Sequence, residues 1–346
     1  METILLLVHV EADGSLAKPA LEALTAARTI RHQLSGSTLA VGLVGVDAGA
    51  AANQIGSCGA LRFLGVSGAE FGEPRYASDA AAAEALVRAA GATLILAPAT
   101  SRWSRSLAGV AQRVNGRIDT HITGAAVVDG QLNVARWYYR QRMEALLQRV
   151  QRPWFVLLDV GCHDPWAGEA AAAAVESVSV EFSESLRRTK FVEFRVPQSG
   201  EQTIRPEADL LFVTGAGWTK KQPDGKTHVE EAAALILDFL HKTQSSLGSS
   251  KSLVDLGGEG QAILPFLSHL NQVGQTGSTP RHPKGLATCC HGEEPHVVGW
   301  RFVTERRAVN LDPNCGWARG KADILYVADA FEVLRKVNEL LSSSGV

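Results

Sequence analysis

The chain has 346 residues, 34 Lys plus Arg against 36 Asp plus Glu, and a net charge of -2. At about 100 to 200 residues per domain, this length predicts two domains. The hydrophobic fraction of 45% and the charged fraction of 20% exclude a disordered or fibrous chain, and the near-neutral charge argues against a nucleic-acid partner.

Short apolar runs alternate with alanine-rich helical stretches in the first half of the chain. Strands are predicted at 4–10, 39–44, 61–65, 93–97, 122–128, 131–136 and 154–160, and helices at 19–34, 48–56, 79–90 and 104–114. Ser78 is the predicted N-cap of the helix at 79–90. Because crossover helices cover both faces of a parallel sheet, the pattern predicts an α/β domain on such a sheet, with some later strands antiparallel.

A charged stretch at 183–206 contains a strand-like run at 190–196 and then Pro197, Ser199 and Gly200. This composition is typical of a boundary, so the predicted domains are 1–200 and 201–346. The second domain alternates again and is also predicted to be α/β. Its predicted strands are 209–213, 285–288, 296–299, 307–310 and 324–328, its helices 229–243, 261–270 and 330–341, and its Ser-rich loop 244–252.

No apolar run approaches the roughly 20 residues that a membrane-spanning helix needs. Met1 leads directly into the strand at 4–10, without the basic segment or cleavage site of a secretory signal. Five cysteines are an odd and sparse number for so long a chain, which does not resemble a secreted disulfide framework. We therefore expect a cytoplasmic protein with reduced thiols and no membrane insertion.

Glycines follow the first strand of the second domain, in Val213-Thr214-Gly215-Ala216-Gly217. Because glycine has no Cβ, backbone at Gly215 and Gly217 can approach a phosphate or a flavin ring closely. The motif lacks the third glycine of a dinucleotide fingerprint and the Lys-Ser/Thr of a P-loop. A tight strand-to-helix turn is the alternative interpretation.

Further polar residues with ligand-binding chemistry lie downstream. They are Gln272, Gly274, Gln275, Thr276 and Gly277, and then His296, Asn310, Asp312 and Asp323. The first group is too polar for a core strand, and the later residues lie close to strand-like runs, where ligands bind in open α/β sheets. Taken singly, each later residue has a loop-capping role as its alternative.

Together these motifs resemble the alpha subunit of electron-transfer flavoproteins. Its Gln-Thr-Gly, Asn-x-Asp-Pro and Ala-Asp segments are specific to that family, and the similarity covers most of the chain. The matching residues are Gln272, Gly274–Gly277, Gly292, His296, Gly299, Asn310, Asp312, Pro313 and Ala322-Asp323, with Glu11, Gly14, Leu16, Ala26-Ala27, Ile95–Thr100, Arg136 and Tyr139 in the first domain.

The resemblance implies an adenine-nucleotide-hydrolase-like first domain that contacts a beta subunit, and a Rossmann-like second domain that binds FAD. Gln275 and Thr276 would contact the flavin and ribityl region and His296 the pyrimidine edge, while Asn310 and Asp323 would hold the adenosine end. The beta subunit of such proteins usually holds an AMP. Electrons would pass from a dehydrogenase to an iron-sulfur or quinone-linked acceptor, so the protein would be a carrier rather than a catalyst with its own substrate.

The chain departs from the family pattern at three places. Gly215-Ala216-Gly217-Trp218 stands where the family usually has Gly-Gly-Arg-Gly, Gly258-Glu259 where it has Ser-Arg, and Gln141-Arg142 where it has Gly-Asn. These missing arginines support an alternative, a flavin-depleted structural subunit of a larger oxidoreductase complex. A stand-alone nucleotide-binding enzyme is disfavoured because no nucleophile motif or P-loop is recognisable.

Two other clusters have plainer interpretations. Cys289, Cys290 and Cys315 with the neighbouring His291 and His296 could bind a metal, but adjacent cysteines without Cys-x-x-Cys spacing are poor ligand pairs, so we expect no metal.

Three arginines lie in the helix predicted at 104–114 or just before it, which predicts a solvated helix face or a contact with a partner subunit. They are Arg102, Arg105 and Arg113.

Overall fold

The structure is a computed structural model, and it describes residues 1–139, 143–181, 183–193, 204–205, 208–255, 262–273, 281–288, 303–315 and 322–343. The chain divides into two compact units, Met1–Phe194 and Arg195–Val346. The predicted boundary between residues 200 and 201 lies outside the described residues. Both units are α/β, as the sequence predicts.

One large sheet forms the first unit. Its strands are β1 (Thr3–His9), β2 (Thr38–Gly45), β3 (Arg62–Ser67), β4 (Leu94–Pro98), β5 (Arg117–Val128), β6 (Gln131–Tyr138), β7 (Met143–Leu147), β8 (Trp154–Leu158) and β9 (Val175–Ser177). The strand order is β7-β6-β5-β8-β4-β1-β2-β3-β9. All neighbouring strands from β5 to β9 in this order pair in parallel, and only the β5-β6-β7 extension is antiparallel.

Helices cover both faces of this sheet, which is why its central strands are apolar along their whole length. Side chains alternate between faces along β1, so that Ile4 and Leu6 belong to one buried cluster and Leu5 and Leu7 to another. The helices are α1 (Lys18–Gln33), α2 (Gly49–Gln54), α3 (Ala69–Gly72), α4 (Tyr76–Ala90) and α5 (Ser101–Arg113), with a 3₁₀ turn at Glu184–Arg187. The cluster of Leu5 and Leu7 includes residues of α4 and α5, whereas the opposite cluster includes residues of α1.

The structure of the first unit differs from the sequence-based expectations in an N-cap, in strands that were not predicted and in a predicted strand. Helix α4 begins at Tyr76 with Arg75 as its N-cap, and the predicted cap Ser78 lies inside it, where its hydroxyl donates to the carbonyl oxygen of Arg75 at 3.2 Å. Strands β7 and β9 were not predicted, because β9 is only 3 residues long and the sequence of β7 has no period-2 alternation. The predicted strand at 190–196 has no regular structure at 190–193, and its remainder lies outside the described residues.

The buried carboxylate of Asp119 ties the antiparallel extension to the parallel part of the sheet. Asp119 lies on β5 and accepts hydrogen bonds from the guanidinium of Arg149, with Nη2 at 2.7 Å, and from Trp154 Nε1 at 2.9 Å. Burial raises the pKa of Asp119, but the hydrogen bonds from Arg149 and Trp154 outweigh it and hold the pKa below its ordinary value. The carboxylate is therefore charged and paired in the folded state.

A smaller parallel sheet forms the second unit. Its strands are β10 (Leu210–Thr214), β11 (Ser246–Ser249), β12 (His282–Thr288), β13 (Val303–Asn310) and β14 (Ile324–Val327), in the order β11-β10-β12-β13-β14. The helices are α6 (Val229–Thr243), α7 (Lys251–Asp255) and α8 (Ala330–Ser343), with 3₁₀ turns at Ala216–Thr219 and His269–Asn271. Helices α6 and α8 pack together over one face of the sheet. No helix within the described ranges is long and apolar enough for a bilayer crossing.

The predicted Ser-rich loop at 244–252 is wrong, because Ser246–Ser249 is the buried strand β11 and is followed by α7. Its hydroxyls are satisfied within the core: Ser246 Oγ donates to the carbonyl of Arg205 at 2.8 Å, and Ser249 Oγ to that of Ser250 at 3.0 Å. The predicted helix at 261–270 is also wrong in its described part, where 262–268 are not helical. The predicted strand at 296–299 lies outside the described residues.

We predict that Asp119→Ala lowers the free energy of unfolding by about 1 to 3 kcal/mol, because the variant leaves the buried Trp154 Nε1 without its acceptor. Glu176→Ala is the matched control, since it removes a surface carboxylate that lies 2.8 Å from Arg62 and is 52% exposed. An exposed pair contributes about 0 to 1 kcal/mol. Urea denaturation of both variants measures the difference, and equal losses would contradict the assigned role of Asp119.

Candidate functional site

The carboxyl end of the second sheet contains a topological switch point. From β10 the chain continues to β11 on one side, whereas β12, β13 and β14 follow on the other side. The backbone N–H of Gly215, directly after β10, donates to the carbonyl of Thr288 at the end of β12, at 2.8 Å. Open α/β sheets bind ligands beyond the carboxyl ends of their strands at such a point. We call the group Gly215, Gly217, Gln272, Asn310 and Asp312 the switch-point edge.

Gly215 and Gly217 form the tight turn that was the alternative interpretation of their motif. The turn continues into the 3₁₀ segment Ala216–Thr219, and both glycines are buried. Gly215 has a φ of -97°, which any residue adopts. The turn therefore does not require glycine's left-handed backbone conformation at Gly215.

Trp218 ends the segment Gly215–Trp218, which stands where the resembled family usually has Gly-Gly-Arg-Gly, so that Gly217 takes the place of the arginine. Its side chain is buried in the core, where Nε1 donates to Thr288 Oγ1 at 2.8 Å and the ring packs 4.6 Å from that of Phe331 on α8. The indole therefore joins the end of β12 to α8, and it supplies no charge to a ligand.

Gln272 lies at the carboxyl end of β11. It pairs with Ser249 in a single parallel bridge, and the next residue, Val273, donates its N–H to the Ser249 carbonyl at 3.0 Å. Gly248 makes this approach possible, because a Cβ there would lie 2.8 Å from Val273 Cγ1. The backbone of Gln272 is thereby fixed at the same edge as Gly215.

Asn310, the last residue of β13, has a buried side-chain amide that is only partly hydrogen-bonded. Its side chain is only 1% exposed. Oδ1 accepts the N–H of Asp312 at 3.0 Å, whereas Nδ2 is buried and has no hydrogen-bond partner among the described residues. A buried, unsatisfied N–H costs about 1 to 3 kcal/mol. An acceptor atom of a ligand would remove this cost.

Asp312 has the capping role that was the alternative for each of these polar residues. Its Oδ1 accepts the N–H of Asn314 at 2.8 Å, two residues further on, which is the geometry of an Asx-turn. Asp312 thus shapes the loop that follows Asn310.

Asp323 lies at the opposite end of the strands from Asn310. The register pairs Asn310 with Val327, so Asp323, four residues earlier, is about 13 Å away along the strand direction. Its carboxylate binds Arg306 instead, with Oδ1 2.8 Å from Nη2, and this hydrogen bond holds the pKa of Asp323 below its ordinary value. The structure does not bring Asp323 together with Asn310.

The other predicted site residues lie outside the described residues, and their roles stay predictions. They are Gly274, Gln275, Thr276, Gly277 and His296, together with Glu259, Cys289, Cys290 and His291. Cys315 is described and is buried against the sheet in an apolar cluster.

A cavity of about 550 Å³ beside the switch-point edge was not predicted from the sequence. Its lining includes four carboxyl groups, of which that of Asp224 pairs with His228 and that of Glu231 with Arg335, both also in the lining; the four are Asp224, Glu231, Asp329 and Glu332. Asp329 already caps α8, because its Oδ1 accepts the N–H of Phe331 at 2.8 Å and of Glu332 at 3.1 Å. The carboxylate of Asp329 therefore already occupies the N-terminus of α8, an end that would otherwise favour an anionic ligand.

The first unit has its own switch point, between β1 and β4. His9 at the end of β1 stacks on Trp103 with ring centroids 3.7 Å apart, and its Nε2 lies 3.5 Å from Asp79 Oδ1. Asp79 is fully buried and pairs with Arg102 at 2.6 Å. The prediction of a solvated face is therefore wrong for Arg102. Burial, with a further contribution from the charges of Arg102 and Arg105, lowers the pKa of His9 to about 4.

Two α/β units, each built on a sheet of mainly parallel strands, define the general class of the protein. A family model described as the electron transfer flavoprotein domain matches residues 4–183, more than half of the chain. The chain therefore belongs to the electron transfer flavoprotein family, whose members are flavoproteins. No curated protein matches the chain.

We predict that the free energy of unfolding falls as the pH decreases from about 6.5 to about 4. Unfolded His9 takes up a proton near pH 6.5, whereas folded His9 does so only near pH 4, so protons favour the unfolded state in this interval. The His9→Phe variant keeps an aromatic ring against Trp103 and does not titrate. Its loss of stability over this interval, measured by urea denaturation, should be smaller by on the order of 3 kcal/mol. Parallel curves for the variant and the wild type would refute the assignment.

Proposed function

We propose that the chain is the alpha subunit of an electron-transfer flavoprotein and binds FAD at the switch-point edge. The observation that carries this proposal is the buried, unpaired Nδ2 of Asn310 at the end of β13. Gly215, Gly217 and Gln272 lie at the same edge of the sheet, where ligands of open α/β sheets bind. Membership of a flavoprotein family supports a flavin as that ligand.

FAD, when bound, accepts and releases electrons, and that chemistry belongs to the cofactor. The residues of this chain bind and orient it. Gly215 and Gly217 allow the cofactor to approach the backbone after β10, and Asn310 Nδ2 would donate to an acceptor on the adenosine part. The contacts predicted for Gln275 and Thr276 with the flavin and ribityl region, and those of Gly274, Gly277 and His296, belong to the same proposal.

Asp323 is not part of the proposed binding edge. Its carboxylate accepts both a side-chain and a backbone hydrogen bond from Arg306, the latter at 2.7 Å. Its predicted contact with the adenosine end would require it to leave this pair and to lie at the other end of β14. We therefore assign it to the β13-β14 pairing.

The proposed partner is a beta subunit that holds AMP and contacts the first unit. Support comes from β7, an edge strand with no strand on its outer side in the described part of the chain. Met143 and Leu146 on β7 are exposed, as are Tyr139 before it and Val150 after it. Natural proteins usually cover an apolar edge of this kind. The electron donor would be a dehydrogenase, and the acceptor an iron-sulfur or quinone-linked protein.

A flavin-depleted structural subunit is the second candidate function. The absence of an arginine from the segment Gly215–Trp218 favours it, because Gly217 takes the arginine's place and the neighbouring Trp218 is committed to the core. The cavity beside the switch-point edge favours it as well, because the carboxylate of Asp329 already caps the N-terminus of α8 in its lining.

An absorbance spectrum separates the two candidates. We predict that the chain, purified together with its beta subunit, shows the flavin bands and releases FAD on denaturation. The beta subunit expressed alone is the control, since any flavin of its own must be subtracted. A colourless complex of both subunits would establish the structural alternative instead.

We predict that Asn310→Ala weakens FAD binding about tenfold, because it removes a hydrogen bond from a buried site. Asp323→Asn is the matched control at the other end of the sheet and should leave the dissociation constant unchanged. Titration of the apo-complex with FAD, followed by flavin fluorescence, gives both constants. If Asp323→Asn has the larger effect, the adenosine end is bound at the opposite edge from the one proposed.

A further inference from the structure

A second cavity, which we call the α8 cavity, lies between α8 and the sheet of the second unit. It has a volume of about 550 Å³, which is within the range of small-molecule sites. Its apolar wall includes Leu286 and Val309 from the sheet and Val333 and Val337 from α8. None of the switch-point edge residues lines it, so it is independent of the proposed FAD site.

The register of the strands explains this lining. Side chains on one face alternate along each strand, so Lys284 and Leu286 of β12 point to the same side of the sheet. Leu286 lies beside Arg307 of β13, and Val309 beside Tyr326 of β14. Val333 and Val337 are one helical turn apart and present one apolar stripe of α8 to this face. The cavity is therefore apolar beneath α8 and charged at its mouth.

The charged side chains at the mouth of the α8 cavity carry one more positive than negative charge. Glu305 lies 3.7 Å from Arg307, and the two largely neutralise each other. Lys284, beside Glu305 in the register, forms no ion pair with any residue that the structure describes. One positive charge therefore remains at the opening of an apolar cavity.

We propose that the α8 cavity binds an amphiphilic carboxylate, a small molecule with an aliphatic or aromatic body and a single negative charge. The body would pack against Leu286, Val309, Val333 and Val337, and the carboxylate would meet the ammonium of Lys284. A monoanion matches the single uncompensated charge, whereas the second charge of a phosphate monoester would lie near Glu305 without a partner. Burial of the apolar body supplies the affinity, and Lys284 supplies the selectivity for the anion.

Isothermal titration calorimetry with decanoate, below the concentration at which it forms micelles, tests the proposal on the protein as it purifies. We expect saturable 1:1 binding, with Lys284→Gln weakening it about tenfold. The same variant should leave the binding of the neutral probe 1-decanol unchanged. Lys336→Gln is the matched control, because Lys336 lies on the exposed side of α8 and pairs with Glu339 at 2.9 Å.

Val337→Trp tests the location, because the larger side chain fills the cavity and should abolish binding of both probes. Circular dichroism confirms whether the Val337→Trp variant is folded. If that variant does not fold, Lys284→Gln still tests the proposal, because Lys284 lies at an exposed position. Absence of saturable binding, or decanoate binding that survives Val337→Trp in the folded protein, overturns the proposal. Equal effects of Lys284→Gln on decanoate and 1-decanol also overturn it, since the site would then be apolar without anion selectivity. A chain that dimerises through this face, with decanoate excluded, would identify a second copy as the occupant and refute the small ligand.

Discussion

Three hydrogen bonds on Thr288 hold together the part of the molecule on which the candidate site depends. The carbonyl of Thr288 accepts the N–H of Gly215, and Oγ1 accepts Trp218 Nε1 and donates to the carbonyl of Val213, with distances between 2.8 and 3.0 Å. Thr288 thus fixes the end of β12 against the end of β10 and the turn that follows it. The position of Gly215 and Gly217, the burial of Trp218 and the packing of α8 all follow from this junction.

Two observations at the edge that this junction fixes favour opposite conclusions about a bound ligand. Gly217 stands where the resembled family has an arginine and Trp218 is committed to the core, so this segment brings no positive charge to the edge. Asn310, two strands away, retains a buried N–H that is unpaired among the described residues, at a cost of about 1 to 3 kcal/mol. The Oδ1 of Asn310 has a structural role, since it accepts the N–H of Asp312, but this role does not use Nδ2, which an acceptor atom of a ligand would satisfy. The balance of the two observations favours a bound ligand over a purely structural subunit.

The sequence predicted much of the fold where local pattern and tertiary environment agree. Helix α6 was predicted at 229–243 and begins and ends at these residues, because its apolar period matches the face that it buries. Strand β11 was missed because its serines satisfy their hydroxyls with backbone carbonyls, including that of Arg205, more than 40 positions away in the chain. The pairing of Arg102 with Asp79 likewise joins separate helices and leaves no local pattern.

The candidate site likewise combines features that the sequence predicts with features that it does not. Gly215 follows β10 and Asn310 ends β13, and the carboxyl ends of parallel strands meet at one edge, so their place at the same edge follows from the sequence pattern alone. Asp323 precedes its strand, and a parallel sheet then places it at the opposite edge, a consequence that similarity to the family motif does not reveal. The unpaired state of Asn310 Nδ2 required side-chain coordinates, because it depends on what surrounds the amide rather than on its place in the chain.

A crystal structure of the chain with its beta subunit and FAD tests the central claim most directly. The account predicts FAD beyond the carboxyl ends of β10, β12 and β13, with an acceptor atom of the cofactor about 2.7 to 3.2 Å from Asn310 Nδ2. FAD bound elsewhere, or an Asn310 amide that donates to a protein group while the cofactor is present, would contradict it.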